Sequence, residues 1–247
     1  TRNYRIQVFL LKGDYIGQLG ERGTDVGQFE EPMDVAVDRA DRVYVLDTWN
    51  HRVQVFSDKG EYISTIERQF YGPRGMAIDP QTNAIYVCDS GHHVVNVFDR
   101  NGEFIRILGN QTQQAGSGEG EFKGPVGIDI GPDGRVVVAD TFNDRIQVFD
   151  RSGRFIRAWP VGFTMEGERG IEAHVAVAAD GKVYVTDPLG AQVFVFGPDG
   201  TKLGVSDRSA AGETFRVPIG ITLSPNDELF VTDLGWDKVL KLPQPKD

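Results

Sequence analysis

The sequence predicts an all-β fold built from repeated four-stranded sheets. Five segments share the pattern apolar-x-apolar-x-Asp, with their closing aspartates 42 to 51 residues apart: Val43–Asp47, Ile85–Asp89, Val136–Asp140, Val183–Asp187 and Leu229–Asp233. Glycine is abundant, with 30 of 247 residues, and many glycines lie between alternating runs, where hairpin turns need a positive φ. No stretch has a helical apolar period, whereas alternation of apolar and polar residues is typical of strands.

Each of these segments belongs to a longer unit of four short strands. A second alternating run follows each Asp, at Arg52–Phe56, Val94–Phe98, Arg145–Phe149, Gln192–Phe196 and Lys238–Leu242, and a sixth copy lies at Arg5–Phe9. Gly-containing turns then lead into weaker strands, such as Tyr62–Ile66, Phe104–Leu108 and Phe155–Trp159. The strand before each Asp segment mostly begins with proline: Pro32–Val37, Pro73–Ile78, Pro125–Ile130, Glu172–Val177 and Pro218–Leu223.

In chain order we label the strand that mostly begins with proline a, the strand that ends in Asp b, the second alternating run c and the weaker strand d. Four antiparallel strands in a repeat of about 45 residues predict a β-propeller blade. Six c strands predict six blades in one domain, with approximate bounds 1–28, 29–70, 71–121, 122–170, 171–216 and 217–247. Thr1 aligns with the position just after a b-strand Asp, so roughly 30 residues of the first blade would have to precede it. We therefore expect an incomplete first blade whose c strand is an exposed edge. Five blades plus a spare strand is the alternative.

Composition argues against several classes of protein. Against 36 Asp and Glu stand 26 Lys and Arg, and the net charge of −10 disfavours nucleic acid or an anionic membrane as the main partner. The single cysteine, Cys88, excludes an intramolecular disulfide, and its place inside a strand predicts a buried, inert thiol. No run approaches the ~20 apolar residues of a membrane helix. The start at Thr1, in mid-repeat, suggests a processed or truncated chain and a module of something larger.

Two stretches resemble the NHL repeat. They are Asp47–Phe56 with Gly60, and Asp140–Phe149, each preceded by a Gly-x-Phe-x-x-Pro motif at Gly27–Pro32 and Gly120–Pro125. The resemblance extends along the chain and weakens where His92, Gly190 and Trp236 replace the Asn, and where Val94, Gln192 and Lys238 replace the Arg. The resemblance implies a six-bladed propeller, because most NHL-repeat proteins have six blades. The family includes protein- and ligand-binding modules, RNA-binding and sensor domains and a peptidylglycine amidating lyase, and bacterial exported proteins carry such repeats.

The repeated polar residues are predicted to stabilise the blades. An Asp at a strand end caps the following turn, Asn tolerates a left-handed backbone, and Arg can bridge to a neighbouring carboxylate. Because these residues recur in successive blades, we expect them to link each blade to its neighbour. The predicted structural residues are Asp47, Asn50, Arg52, Asp89, Asp140, Asn143, Arg145, Asp187 and Asp233.

No catalytic residue, metal site or cofactor is predicted. His51, His93 and Asp144 share one repeat position, but equivalent points on packed sheets lie ~10 Å apart, too far for one zinc ion. Glu31 and Asp233 fit part of a lactonase-like pattern, in which Ile219 stands where such enzymes place Asn. The lyase needs several histidines on the inner loops, whereas the inner-strand starts hold Asp34, Gly75, Gly127, His174 and Gly220.

Aromatic, Met and Arg side chains on protruding loops are typical of interfaces. The b–c and d–a loops share one end of a propeller, where we expect a binding face formed by Trp49, Arg74, Phe142, Phe163, Met165, His174 and Trp236. Packing of each aromatic ring on its own blade is the alternative.

The predicted function is a non-enzymatic binding or scaffold module that holds a protein partner, an assembly subunit or a small ligand. No nucleic acid and no membrane insertion are expected, and the resemblance and acidic composition favour a periplasmic or extracellular bacterial setting. A metal-dependent hydrolase or lyase at the channel mouth is one alternative, and an RNA-binding domain is another.

Overall fold

Short antiparallel sheets follow one another along the chain in the computed structural model, which describes residues 3–164 and 172–242. The first sheet pairs β1 (Ile6–Phe9) with β2 (Tyr15–Leu19), and β3 (Glu21–Arg22) and β4 (Gln28–Phe29) form a small parallel pair in the next connection. Only β2 pairs with β1 among the described strands, and Val8 and Phe9 are about half exposed. Among the described strands, β1 therefore lies at the edge of the first sheet.

Four complete sheets come next, each with its strands in chain order. The second sheet contains β5 (Pro32–Val37), β6 (Val43–Asp47), β7 (Arg52–Phe56) and β8 (Tyr62–Glu67). The third contains β9 (Pro73–Ile78), β10 (Ile85–Asp89), β11 (Val94–Phe98) and β12 (Phe104–Gly109). The fourth contains β13 (Pro125–Ile130), β14 (Val136–Asp140), β15 (Arg145–Phe149) and β16 (Phe155–Pro160).

The fifth sheet contains β17 (Val175–Val177), β18 (Val183–Asp187), β19 (Gln192–Phe196) and β20 (Lys202–Ser206). The sixth has three strands in the described chain, β21 (Pro218–Leu223), β22 (Leu229–Asp233) and β23 (Lys238–Lys241). Single-turn 3-10 helices connect the b and c strands of sheets two to four, at Thr48–Asn50, Ser90–His92 and Thr141–Asn143. No helix in these ranges is long and apolar enough to cross a membrane. The fold is an all-β β-propeller, as predicted.

The core lies between neighbouring sheets because each sheet is apolar on both faces. One cluster joins Ile146 and Trp159 of the fourth sheet to Val185 and Phe194 of the fifth. Similar clusters join the second sheet to the third, the third to the fourth and the fifth to the sixth. A propeller buries both faces of each sheet in this way, which a lone sheet cannot do.

The inner strands β5, β9, β13, β17 and β21 pack side by side around the axis. Gly75 and Gly127 sit where neighbouring inner strands approach most closely: a Cβ on Gly75 would lie 2.0 Å from the carbonyl oxygen of Val126, and one on Gly127 would lie 2.5 Å from the Cα of His174. The Gly127 amide also donates to the Ala173 carbonyl at 3.0 Å. Glycine is required at both positions because no side chain fits between the strands.

Candidate functional site

The corner between β6 and β7 is held by one buried carboxylate. Asp47 is fully buried, and its Oδ1 accepts a hydrogen bond from the Glu30 amide at 2.7 Å. Its Oδ2 accepts from Asn50 Nδ2 and Arg52 Nε, both at 2.9 Å, and from Gln54 Nε2 at 3.3 Å. The same three side chains donate to backbone carbonyls of residues 23–28. The set thus fixes the loop that enters the second sheet.

The fourth sheet repeats this arrangement almost atom for atom. Asp140 accepts from the Lys123 amide at 2.8 Å and from Asn143, Arg145 and Gln147 at 2.7 to 3.1 Å. Burial raises the pKa of Asp140, and the Asn143 and Arg145 hydrogen bonds act against that rise. These contacts support the structural role predicted for the Asp, Asn and Arg positions. They tie a sheet to its own incoming loop, and not to the neighbouring sheet.

The carboxylate persists in the other sheets while its donors change. Asp89 accepts from the Tyr71 amide, from Asn96 and from His92 Nδ1, the last at 3.0 Å, so His92 takes the place of the Asn. Asp187 accepts from Thr164, from the Gly190 amide and from Gln192 Nε2. Asp233 accepts only backbone amides among the described residues, those of Arg216, Val217 and Gly235.

Sequence reasoning missed the fourth member of this set. Gln54, Asn96 and Gln147 occupy the middle of the c strand and are completely buried. The signal was present, since an amide recurs within an otherwise apolar alternating run. The expected left-handed Asn was wrong: Asn50 and Asn143 end the 3-10 helices, and the left-handed residues are the following His51 and Asp144, at φ 55° and 50°.

Contacts between sheets come from other residues of the same corners. The hydroxyls of Thr48, Ser90 and Thr186 donate to carbonyls of the next inner strand, at Pro73, Pro125 and Ile219. His93 Nδ1 accepts from the Gly124 amide at 3.0 Å, and Asp144 accepts from the Gly162 and Phe163 amides. Two of the three side chains considered for a metal site, His93 and Asp144, thus have structural partners. No group of three or more potential metal ligands occurs within residues 3–164 and 172–242.

Exposed apolar side chains encircle the same end of the propeller. We call this end, formed by the b–c and d–a loops, the loop face. In the b–c loops, Trp49 is 50% exposed, Leu189 44% and Leu234 56%. Tyr71, 61% exposed, lies against Gly91, where a Cβ would meet its ring at 2.2 Å. With the half-buried Phe142, whose ring lies over Gly124, these residues form what we call the apolar ring.

A charged bridge spans the channel mouth inside the apolar ring. Arg74, at the start of β9, forms an ion pair with Glu172, which precedes β17. The two residues belong to the third and fifth sheets and therefore reach across the fourth. A cavity of about 80 Å³ beside them is lined also by Trp49, whose Nε1 donates to Glu31 Oε2 at 2.9 Å. Trp49 and Arg74, both predicted for the binding face, are thus brought together.

His174 lies at the same mouth. Burial, with a smaller contribution from the Arg74 charge, lowers the pKa of His174 to about 4. The imidazole is therefore neutral at pH 7. Its backbone is fixed to β18, because the His174 amide donates to Thr186 Oγ1 at 2.9 Å.

The remaining predicted binding residues have other surroundings. Phe163 is 6% exposed and packs in the core between the fourth and fifth sheets, so it is not available on the loop face as expected. Trp236 is half-buried: Arg216 stacks on its ring at 3.5 Å, and its Nε1 donates to the Thr214 carbonyl. Its packing on its own sheet matches the alternative. Met165 lies outside the described residues.

Two carboxyl groups on the inner strands have raised pKa values. Burial raises the pKa of Asp34 to about 7 and that of Asp129 to about 6. Each accepts from a backbone amide of the next inner strand, Asp34 from Met76 and Asp129 from Val177, both at 2.7 Å. They link neighbouring strands around the channel. Cys88 is fully buried, and burial raises the pKa of its thiol, in keeping with the predicted inert role.

A known repeat matches the three sheets whose corners share a common pattern of hydrogen bonds. The NHL repeat model matches residues 29–56, 70–98 and 122–149, which are the sheets in which an Asp accepts from an Asn or His and from a buried c-strand amide. Protein lin-41 of Caenorhabditis elegans is 54% identical over 41 residues. That stretch is 17% of this chain, and the chain spans only 4% of the relative's length.

Solved structures of low identity share the fold over most of the chain. A catalytically inactive virginiamycin B lyase from Staphylococcus aureus with quinupristin has a TM-score of 0.67 at 14% identity, covering 97% of this chain and 73% of the other. A chain of the nidogen/laminin complex has a TM-score of 0.68 at 21% identity, covering 85% and 74%. The chain thus contains three matches to the NHL repeat in successive sheets, and its described residues form a β-propeller that is similar to these solved structures.

Proposed function

We propose that this chain is a non-enzymatic binding module that holds a protein partner on its loop face. The observation that carries the proposal is the apolar ring, because Trp49, Tyr71, Leu189 and Leu234 are each 44% to 61% exposed on one end of the molecule. Exposed apolar clusters with a polar surround mark interaction sites. Aromatic residues dominate the binding energy of such interfaces.

The charged groups within the apolar ring suit recognition more than proton transfer. An imidazole with a pKa of about 4 is a weak base at pH 7, whereas an efficient general base has a pKa near the working pH. Arg74 and Glu172 are already paired, and the pair offers hydrogen bonds to a partner's backbone. Supporting this by analogy, one similar fold occurs in the nidogen/laminin complex. We extend the proposal to an extracellular or periplasmic protein partner.

The test uses two sites with equal exposure. Leu189, on the loop face, and Ile63, on the outer strand β8, are both 44% exposed. A photo-crosslinking amino acid is placed at each site, and the partner captured in the native extract is purified. We expect capture from position 189 only. With the purified partner, Leu189→Ala combined with Trp49→Ala should weaken binding at least 10-fold, in line with hot-spot truncations of about 2 kcal/mol, while Ile63→Ala leaves it unchanged.

Equal partner affinity of the Trp49→Ala/Leu189→Ala and Ile63→Ala variants would contradict a partner site on the loop face. Capture of a partner only from position 63 would contradict it as well. A stoichiometric metal ion in the purified protein would favour the hydrolase or lyase alternative. Salt-sensitive binding of single-stranded RNA would favour the RNA-binding alternative.

A further inference from the structure

A cavity of about 190 Å³ lies between the fourth and fifth sheets. Its walls are Val137, Val148 and Trp159 from the fourth sheet and Val177 and Val183 from the fifth. The cavity opens between the a–b turns of the two sheets, at the end of the propeller opposite the loop face. It is therefore separate from the apolar ring and independent of the function proposed above.

The cavity is open because an ion pair present at the preceding sheet interface is missing here. Between the third and fourth sheets, Arg151 Nε donates to the buried Asp79 at 2.6 Å. Gly131 directly follows β13 and is therefore equivalent to Asp79, which directly follows β9. Pro198 is the second residue of the c–d turn in the fifth sheet and is therefore equivalent to Arg151 in the fourth. Gly131 and Pro198 cannot form such a pair, and Pro198 instead lines the cavity.

The charges at the cavity mouth balance one another. Asp133 pairs with Arg135 at 3.2 Å, and Asp180 pairs with Lys182 at 2.8 Å. Both acids and Arg135 belong to the lining, so an entering ligand meets paired charges at the rim and mainly apolar side chains inside, where the buried Trp159 Nε1–H has no hydrogen-bond acceptor among the described residues. This arrangement favours an uncharged molecule, because a charged one would lose its hydration without gaining a free counter-ion.

We propose that this cavity binds a compact, uncharged aromatic or aliphatic molecule of about the size of indole. An apolar protein cavity of about 150 Å³ holds benzene, and this cavity is somewhat larger. The valine side chains provide dispersion contacts on both sides, and the Trp159 ring adds an aromatic wall.

The test is a titration of the purified chain with indole, followed by methyl NMR of the valines. We expect saturable shifts at Val137, Val148, Val177 and Val183 and a higher Tm at saturating indole. Val177→Phe fills the cavity and should weaken binding at least 10-fold. Val37→Phe is the matched control, since Val37 is the last residue of β5 as Val177 is of β17, and it should leave binding unchanged.

A second variant guards against misfolding of the first. The double variant Gly131→Asp/Pro198→Arg introduces the two residue types that form the ion pair at the preceding interface. This variant should also abolish the indole shifts. Absence of saturable shifts in the wild-type chain would overturn the proposal. So would shifts that persist unchanged in a folded Val177→Phe or double variant.

Discussion

Asp47 and Trp49 are two residues apart in one corner, and their environments are opposite. The Asp47 carboxylate is fully buried and accepts four hydrogen bonds, whereas the Trp49 ring is half exposed. The Asp recurs in five corners, but the apolar residue beside it changes to Phe142 and Leu189 in other sheets. Recurring polar residues thus hold the corners, and the variable apolar residues beside them are those that we propose for binding.

The largest expected effect comes from removing a carboxylate that carries an Arg. Asp140→Ala removes the acceptor of Arg145 Nε and of the Lys123 amide and leaves the guanidinium charge with backbone carbonyls as its only acceptors among the described residues. We expect a loss of about 3–5 kcal/mol in the free energy of unfolding, as for a broken buried ion pair. Asp187→Ala removes hydrogen bonds from neutral donors only and should cost about 1–3 kcal/mol. Guanidinium denaturation measures both, and equal losses would contradict the distinction.

A smaller effect is expected from crowding the inner strands. Gly75→Ala places a Cβ against the Val126 carbonyl and should destabilise the protein by about 2–3 kcal/mol, because the backbone has to move. Gly204→Ala is the control, since nothing lies within 4 Å of its Cβ position and its φ is not positive. A thermal melt distinguishes them, and similar Tm values for the two variants would refute the close approach of the strands.

The pH dependence of stability tests the inner carboxyl groups. Asp34 and Asp129 have folded pKa values of about 7 and 6, above their unfolded value, so the folded state holds extra protons between pH 4 and 7. Their contribution is complete below pH 4 and is lost as the pH rises through 6 and 7. At about 1.4 kcal/mol per pKa unit, these values predict roughly 4 kcal/mol less stability at pH 8 than at pH 5 from this pair. Asp34→Asn should flatten the slope, and the exposed Asp58→Asn should not.

The strands were largely predictable because their information is local. Apolar alternation and the closing Asp place Val43–Asp47 and Ile85–Asp89 with the bounds observed. The binding face was less predictable because exposure depends on distant packing. Phe163 was expected on the surface and is core, and Tyr71 was missed because it is exposed above a glycine 20 residues further on.

The ion pair across the channel mouth could not be predicted from sequence patterns. Arg74 and Glu172 are 98 residues apart, and only the curvature of the propeller brings them together. The buried amides of Gln54 and Gln147 were visible as a repeated polar position. Their role became clear only once the incoming loops of residues 23–28 and 116–121 were seen to accept from the side chains of these corners.

The most direct test of the division between structural and binding residues is the unfolding free energy of one triple variant. Trp49→Ala, Leu189→Ser and Leu234→Ser together remove most of the exposed apolar ring and leave every corner carboxylate in place. Because exposed substitutions each change stability by about 0.5 kcal/mol or less, we expect a total loss below about 1.5 kcal/mol. A loss of more than 3 kcal/mol would show that the apolar ring holds the fold and would contradict its assignment to binding.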